Sequence, residues 1–127
     1  MGFNELIAAV AGDAEAQFRL AYSHWTLDDF EFAVKYFMQS ARQGHAKAQF
    51  YLGLCYYDGD GVSMDINEAV EWWQKAAEQG LAEAQFNLGN CYYWGEGVAK
   101  DNEKALKWYQ KAAAQGNEDA KKALESI

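Results

Sequence analysis

The chain contains no proline, has only two cysteines and two histidines, and carries fewer basic than acidic residues, 11 against 19, for a formal net charge of −8. Without proline, no helix loses a backbone donor in its interior. Cys55 and Cys91 are not spaced as a zinc or thiol-redox pair, and such sparing use of cysteine suits a reducing compartment. His24 and His45 are too few to build a zinc site without cysteine help. The negative balance repels nucleic-acid phosphates and anionic membrane surfaces, so a basic or neutral partner fits better. No run approaches the roughly 18 apolar residues of a membrane span. Residues 1–12 lack the basic start and apolar core of a secretion signal, and Leu6 stands where a myristoylation site needs Ser or Thr. A soluble, cytoplasmic protein is expected, bound to neither membrane nor nucleic acid.

Apolar and aromatic residues, by contrast, are abundant. Half of the 127 residues are hydrophobic, with eight Tyr, seven Phe and five Trp, which is enough for one ordinary folded domain and argues against disorder. Their arrangement is repetitive. A shift of 36 residues lays Ala46–Gly80 on Ala82–Gly116, and even Cys55 and Cys91 coincide. A third copy lies upstream, where Ala14–Trp25 matches with a shift of 32 and Ala33–Gly44 with a shift of 36. Its intervening turn is therefore four residues shorter. Asn4–Gly12 resembles the second half of a unit and Glu118–Ser126 the first half, as capping half-units would. The chain divides into an N-terminal capping helix (1–13), repeats at 14–45, 46–81 and 82–117, and a C-terminal capping helix (118–127).

Within a unit, Gln49, Leu52, Gly53 and Tyr56 recur at helical spacing, as do Ala69, Trp73, Ala76 and Ala77. Gly44, Gly80 and Gly116 fall just past the second helix, where a left-handed cap is wanted. Asp65 followed by Glu68 predicts a reciprocal capping box, and Asp101 caps the matching helix of the next unit. Eight helices follow, at 3–11, 14–25, 29–43, 46–57, 66–79, 82–93, 102–115 and 118–126. Hairpins this short cannot bury their apolar faces alone and must stack side by side.

The run A-x-A-Q-x-x-L-G-x-x-Y-x-x-G-x-G-V, then Asp, Ala and an aromatic before K-A-A-x-Q-G, is present in both full units. It resembles the Sel1-like repeat, a relative of the tetratricopeptide repeat. The first copy departs from it: Thr26–Phe32 replaces the glycine-bearing turn and Ala21 the usual glycine, which predicts a tighter turn. The resemblance implies an all-α, right-handed α-solenoid of antiparallel hairpins. It also implies an adaptor or scaffold that binds protein, as in bacterial members that regulate envelope or signalling proteins or neutralise toxins. Cysteine-rich relatives bridge the two helices of a hairpin near the places of Ala77 and Ala84, which this chain does not follow. Cys55 and Cys91 stand at equivalent places in successive repeats with a helix between them, beyond the roughly 7 Å that a disulfide spans. Two free thiols are expected.

In tetratricopeptide arrays the first helix of each unit lines the concave groove. Carried onto this sequence, that likeness selects Phe18, Tyr22 and Trp25, then Phe50, Leu54 and Tyr57, then Phe86, Asn90, Tyr93 and Trp94, with Glu15, Thr26, Lys47, Asp58 and Glu83 among them. Leu20, Leu52, Leu88, Gly53 and Gly89 already supply the packing face, so the rings form a second apolar stripe, with Trp25, Tyr57, Tyr93 and Trp94 expected to be more open than the Phe rings. Aromatics rimmed by carboxylates suit peptide capture, since they offer much contact area with few rotors to freeze.

Catalytic and cofactor readings find less support. The stretch from Asp58 to Asp65 offers oxygens, but a calcium loop needs Gly sixth and Glu twelfth, where Ser63 and Ala69 stand. Ser23 and His24 are adjacent on a helix and so do not face each other. Ser40 and Ser63 lack the Lys of an S-x-x-K motif, and the glycine turns lack the Lys and Ser/Thr of a phosphate loop. The expectation is a non-enzymatic adaptor without cofactor or metal that holds a basic and apolar segment of another protein. A homo-oligomeric structural protein and an immunity-type regulator are the alternatives.

Overall fold

The computed structural model describes residues 2–127, which form an all-helical solenoid. Its helices are α1 (Phe3–Val10), α2 (Ala14–Trp25), α3 (Phe30–Arg42), α4 (Ala46–Asp58), α5 (Ile66–Glu78), α6 (Ala82–Trp94), α7 (Asn102–Ala114) and α8 (Glu118–Ser126). Each packs chiefly on its neighbours in sequence, and the tightest pairs are the hairpins α2/α3, α4/α5 and α6/α7.

Local chemistry sets the helix ends. Asp13, Asp65, Asp101 and Asn117 each accept a hydrogen bond from the backbone N–H three residues on. Gly12, Gly44, Gly80 and Gly116 take positive φ, and the next residue's N–H returns to the last turn, as from Leu81 to the Ala76 carbonyl. The box expected at Asp65 is only half made. The Asp65 N–H donates to the Tyr56 carbonyl instead of to Glu68, and Asp101 does the same to Tyr92. That bond pins the loop to the preceding helix. The first repeat has the tight turn expected of it. Asp28 takes φ 61 where no glycine is available, and the Asp29 N–H reaches back to His24.

Each hairpin buries a leucine, Leu20, Leu52 or Leu88, and a ring, Phe37, Trp73 or Tyr109. Ring size tracks the residue it faces. A Cβ on Gly53 would lie 2.3 Å from the Trp73 indole nitrogen, and one on Gly89 2.7 Å from the Tyr109 ring, whereas the smaller Phe37 pairs with the repeat that carries Ala21. Between hairpins runs a ladder of amides. Buried Gln17, Gln49 and Gln85 donate to the carbonyls of Ala9, Ala41 and Ala77 in the preceding helix. They accept in turn from Gln43, Gln79 and Gln115, whose other amide proton goes to Gly12, Gly44 and Gly80. Cys55 and Cys91 are free, buried thiols, as expected. No described helix is long and apolar enough to cross a membrane.

Candidate functional site

Clefts open along the face formed by α2, α4 and α6, where one repeat meets the next. The first, about 440 Å³, lies between repeats 1 and 2 and is lined by Phe18, Tyr22, Lys47, Phe50, Tyr51, Leu81 and Glu83. The second, about 390 Å³, lies between repeats 2 and 3 and is lined by Leu54, Tyr57, Asp58, Trp73, Asn87, Asn90, Cys91, Trp94 and Glu96. The third, about 320 Å³, follows against α8 and shares Asn90 and Trp94 with the second, adding Tyr93 and Tyr109.

Eight of the ten residues selected by sequence therefore line these clefts: Phe18, Tyr22, Phe50, Leu54, Tyr57, Asn90, Tyr93 and Trp94. Trp25 and Phe86 do not. Trp25 is half-buried, 5.9 Å from the Tyr22 ring and 5.1 Å from the Tyr51 ring, and Phe86 leans on Tyr109 at 5.8 Å. The expected order of openness changes accordingly. Trp94, 69 % exposed, and Tyr22, 40 % exposed, are the open rings, while Trp25, Tyr57 and Tyr93 are half-buried. Trp25 is covered by Tyr51 of the next repeat, Tyr57 packs on Trp73 of its own repeat and Tyr93 on Trp94 of its own helix, contacts that the spacing along one helix does not reveal.

Tyr51, Asn87, Trp73 and Glu96 were missed. Tyr51 and Asn87 are the same repeat position, and a difference between otherwise near-identical units was the available signal. Glu96 lies in the turn after α6, and its carboxylate accepts a hydrogen bond from the Tyr57 hydroxyl at 2.9 Å. That bond, with burial second, raises the Tyr57 pKa. Burial raises Tyr51 above its ordinary value, aided by Tyr22. Asn90 is partly committed, since its side-chain oxygen accepts from Tyr109.

Both histidines have packing roles. The His45 Nδ1 caps α4 by accepting from the Ala48 N–H, and Nε2 meets Glu15 on α2 of the preceding hairpin. Its ring stacks on Phe18 at 4.8 Å. His24 lies on Phe32 and against Asp29. Cys91 lines the second cleft, but burial and then the charge of Glu96 push its thiol up to about 12, and no histidine lines that cleft. The thiolate nucleophile is thus disfavoured. Among the described residues no group of three or more His, Cys, Asp or Glu is placed to hold a metal ion.

The family model for the Sel1 repeat matches residues 14–45, 46–81 and 82–117. No curated protein sequence matches. Among solved structures, a Sel1 repeat protein from Oxalobacter formigenes is 39 % identical over 98 % of this chain and 96 % of its own, with TM-score 0.89. The protein c5321, a protective antigen of uropathogenic Escherichia coli strains with an SLR fold, is 38 % identical over 92 % of this chain, with TM-score 0.87. This chain spans only 26 % of that one. Cysteine-rich protein B of Helicobacter pylori, 22 % identical with TM-score 0.68, covers 85 % of this chain and shares the fold. With three consecutive repeats matched and a structural counterpart over 98 % of its length, the chain belongs to the Sel1 repeat family.

Proposed function

We propose that the protein is an adaptor that captures a segment of another protein along the face of α2, α4 and α6. Sel1 repeat proteins generally mediate protein–protein contacts, and here one observation carries the more specific reading: Trp94 is 69 % exposed where two clefts meet. Hairpin packing has no use for an indole there, whereas exposed Trp and Tyr flanked by pockets are the side chains that anchor partners. Glu83, Asp58 and Glu96 among the lining residues favour a segment with basic as well as apolar side chains.

The test is to select peptides from a random display library on the immobilised protein and measure the winners by Trp fluorescence. Trp94→Ala and Tyr22→Ala are expected to weaken them about 30-fold each, the loss of about 2 kcal/mol at an anchor. Winners indifferent to both substitutions would place binding elsewhere. The homo-oligomeric alternative has support of its own, because Phe3, Ile7 and Val10 form an exposed apolar stripe on α1. Light scattering separates the two readings. Self-association that is lost on Ile7→Glu and unaffected by Trp94→Ala is the signature of the second.

A further inference from the structure

The second cleft opens where lining side chains change between repeats, and Asn87 is one of those changes. Between repeats 1 and 2, beside the first cleft that it also lines, Tyr51 fills the corresponding space, stacked on Phe37 at 5.6 Å and edge-on to Trp25 at 5.1 Å and Tyr22 at 5.3 Å. Between repeats 2 and 3 that position is Asn87, and a cleft of about 390 Å³ remains, within the roughly 300–1,000 Å³ typical of ligand pockets. Its walls combine two kinds of chemistry. Tyr57 and Trp94 offer aromatic surface, and Asp58 and Glu96 offer carboxylates. Neither carboxylate is in an ion pair among the described residues. The Tyr57 hydroxyl occupies Oε2 of Glu96, so Oε1 is left to a newcomer.

Resting on the capture reading above, we infer that this cleft is the specificity pocket of the groove and receives an arginine side chain of the bound segment. A planar guanidinium stacks on Tyr and Trp faces while its fork of donors reaches carboxylates and amide oxygens, and a carboxylate with Tyr, Trp and Asn is the set that this position presents. An ammonium has the charge without the plane, and an uncharged side chain leaves Asp58 and Glu96 desolvated without compensation.

The test titrates N-acetylarginine methylamide, and the citrulline and lysine counterparts, into the isotope-labelled 127-residue chain observed by NMR. The arginine probe is expected to move the signals of Tyr57, Asn87, Asn90 and the Trp94 indole saturably, with the neutral citrulline and the lysine probes at least about tenfold weaker. Asp58→Asn with Glu96→Gln removes the preference. Asn87→Tyr, which installs the residue used at the equivalent place in repeat 2, closes the pocket with an unchanged melting temperature. Equal binding of citrulline or lysine, or arginine binding that survives Glu96→Gln with Asp58→Asn, overturns the assignment, and the carboxylate pair decides even where Asn87→Tyr does not fold. Peptides captured through Trp94 but lacking arginine would leave the adaptor reading standing and remove this one.

Discussion

A single methyl group shows how closely the hairpins are fitted. Gly53 and Gly89 leave room for Trp73 and Tyr109, so Gly53→Ala forces the Trp73 indole aside and should cost about 1–3 kcal/mol in chemical denaturation. Trp73→Phe imports the smaller ring that repeat 1 pairs with Ala21. The double variant should therefore be less destabilised than the two single losses added together, and strict additivity would show that the ring and the glycine do not interact. The thiols give a second residue-level expectation. Burial pushes both Cys55 and Cys91 from an ordinary 9.0 up to about 12, so neither should react with a thiol reagent at neutral pH until the protein is unfolded. Between about pH 9 and 12 the unfolded chain releases those protons and the folded one keeps them, so stability falls as pH rises through that window. Cys55→Ser with Cys91→Ser should flatten that decline.

At the level of helices, the amide ladder and the caps hold one element to the next. Gln49 is buried, donates to Ala41 and accepts from Gln79. Gln49→Leu takes one of two donors from the Ala41 carbonyl, which keeps the Gly44 N–H, leaves one Gln79 amide proton without its acceptor and should cost about 1–3 kcal/mol, whereas a substitution at the exposed Gln110 should be nearly neutral. The contact from α2 to the start of α4 works through Glu15, whose pKa is lowered chiefly by its hydrogen bond with His45, against the opposing effect of burial. A carboxylate with a depressed folded pKa stabilises above its unfolded value, here 4.5, and loses that contribution as pH falls through the folded one. Glu15→Gln should therefore make the melting temperature less sensitive to acid below about pH 4.5, with little change in shape. The helix positions themselves were legible in the sequence to within a residue or so, because glycine and aspartate mark ends by local chemistry. The His45 cap was not, since its ring serves as a cap only where Glu15 and Phe18 hold it.

For the whole molecule, contacts between sequence neighbours make the solenoid a chain of coupled units. Removal of α8, residues 118–127, should lower hydrogen-exchange protection in α7 first and leave α3 and α4 protected. Equal loss throughout would show one indivisible unit. The sequence by itself determined the eight helices, their hairpin pairing and the run of rings on α2, α4 and α6, because helical period, glycine stops and repeat spacing are local properties written once per unit. Only the tertiary structure decided which rings stay open and where a cleft forms. Those outcomes depend on side chains from adjacent repeats competing for one space: Tyr51 closes over Trp25, while Asn87 leaves Tyr57, Trp94 and two carboxylates around a hollow.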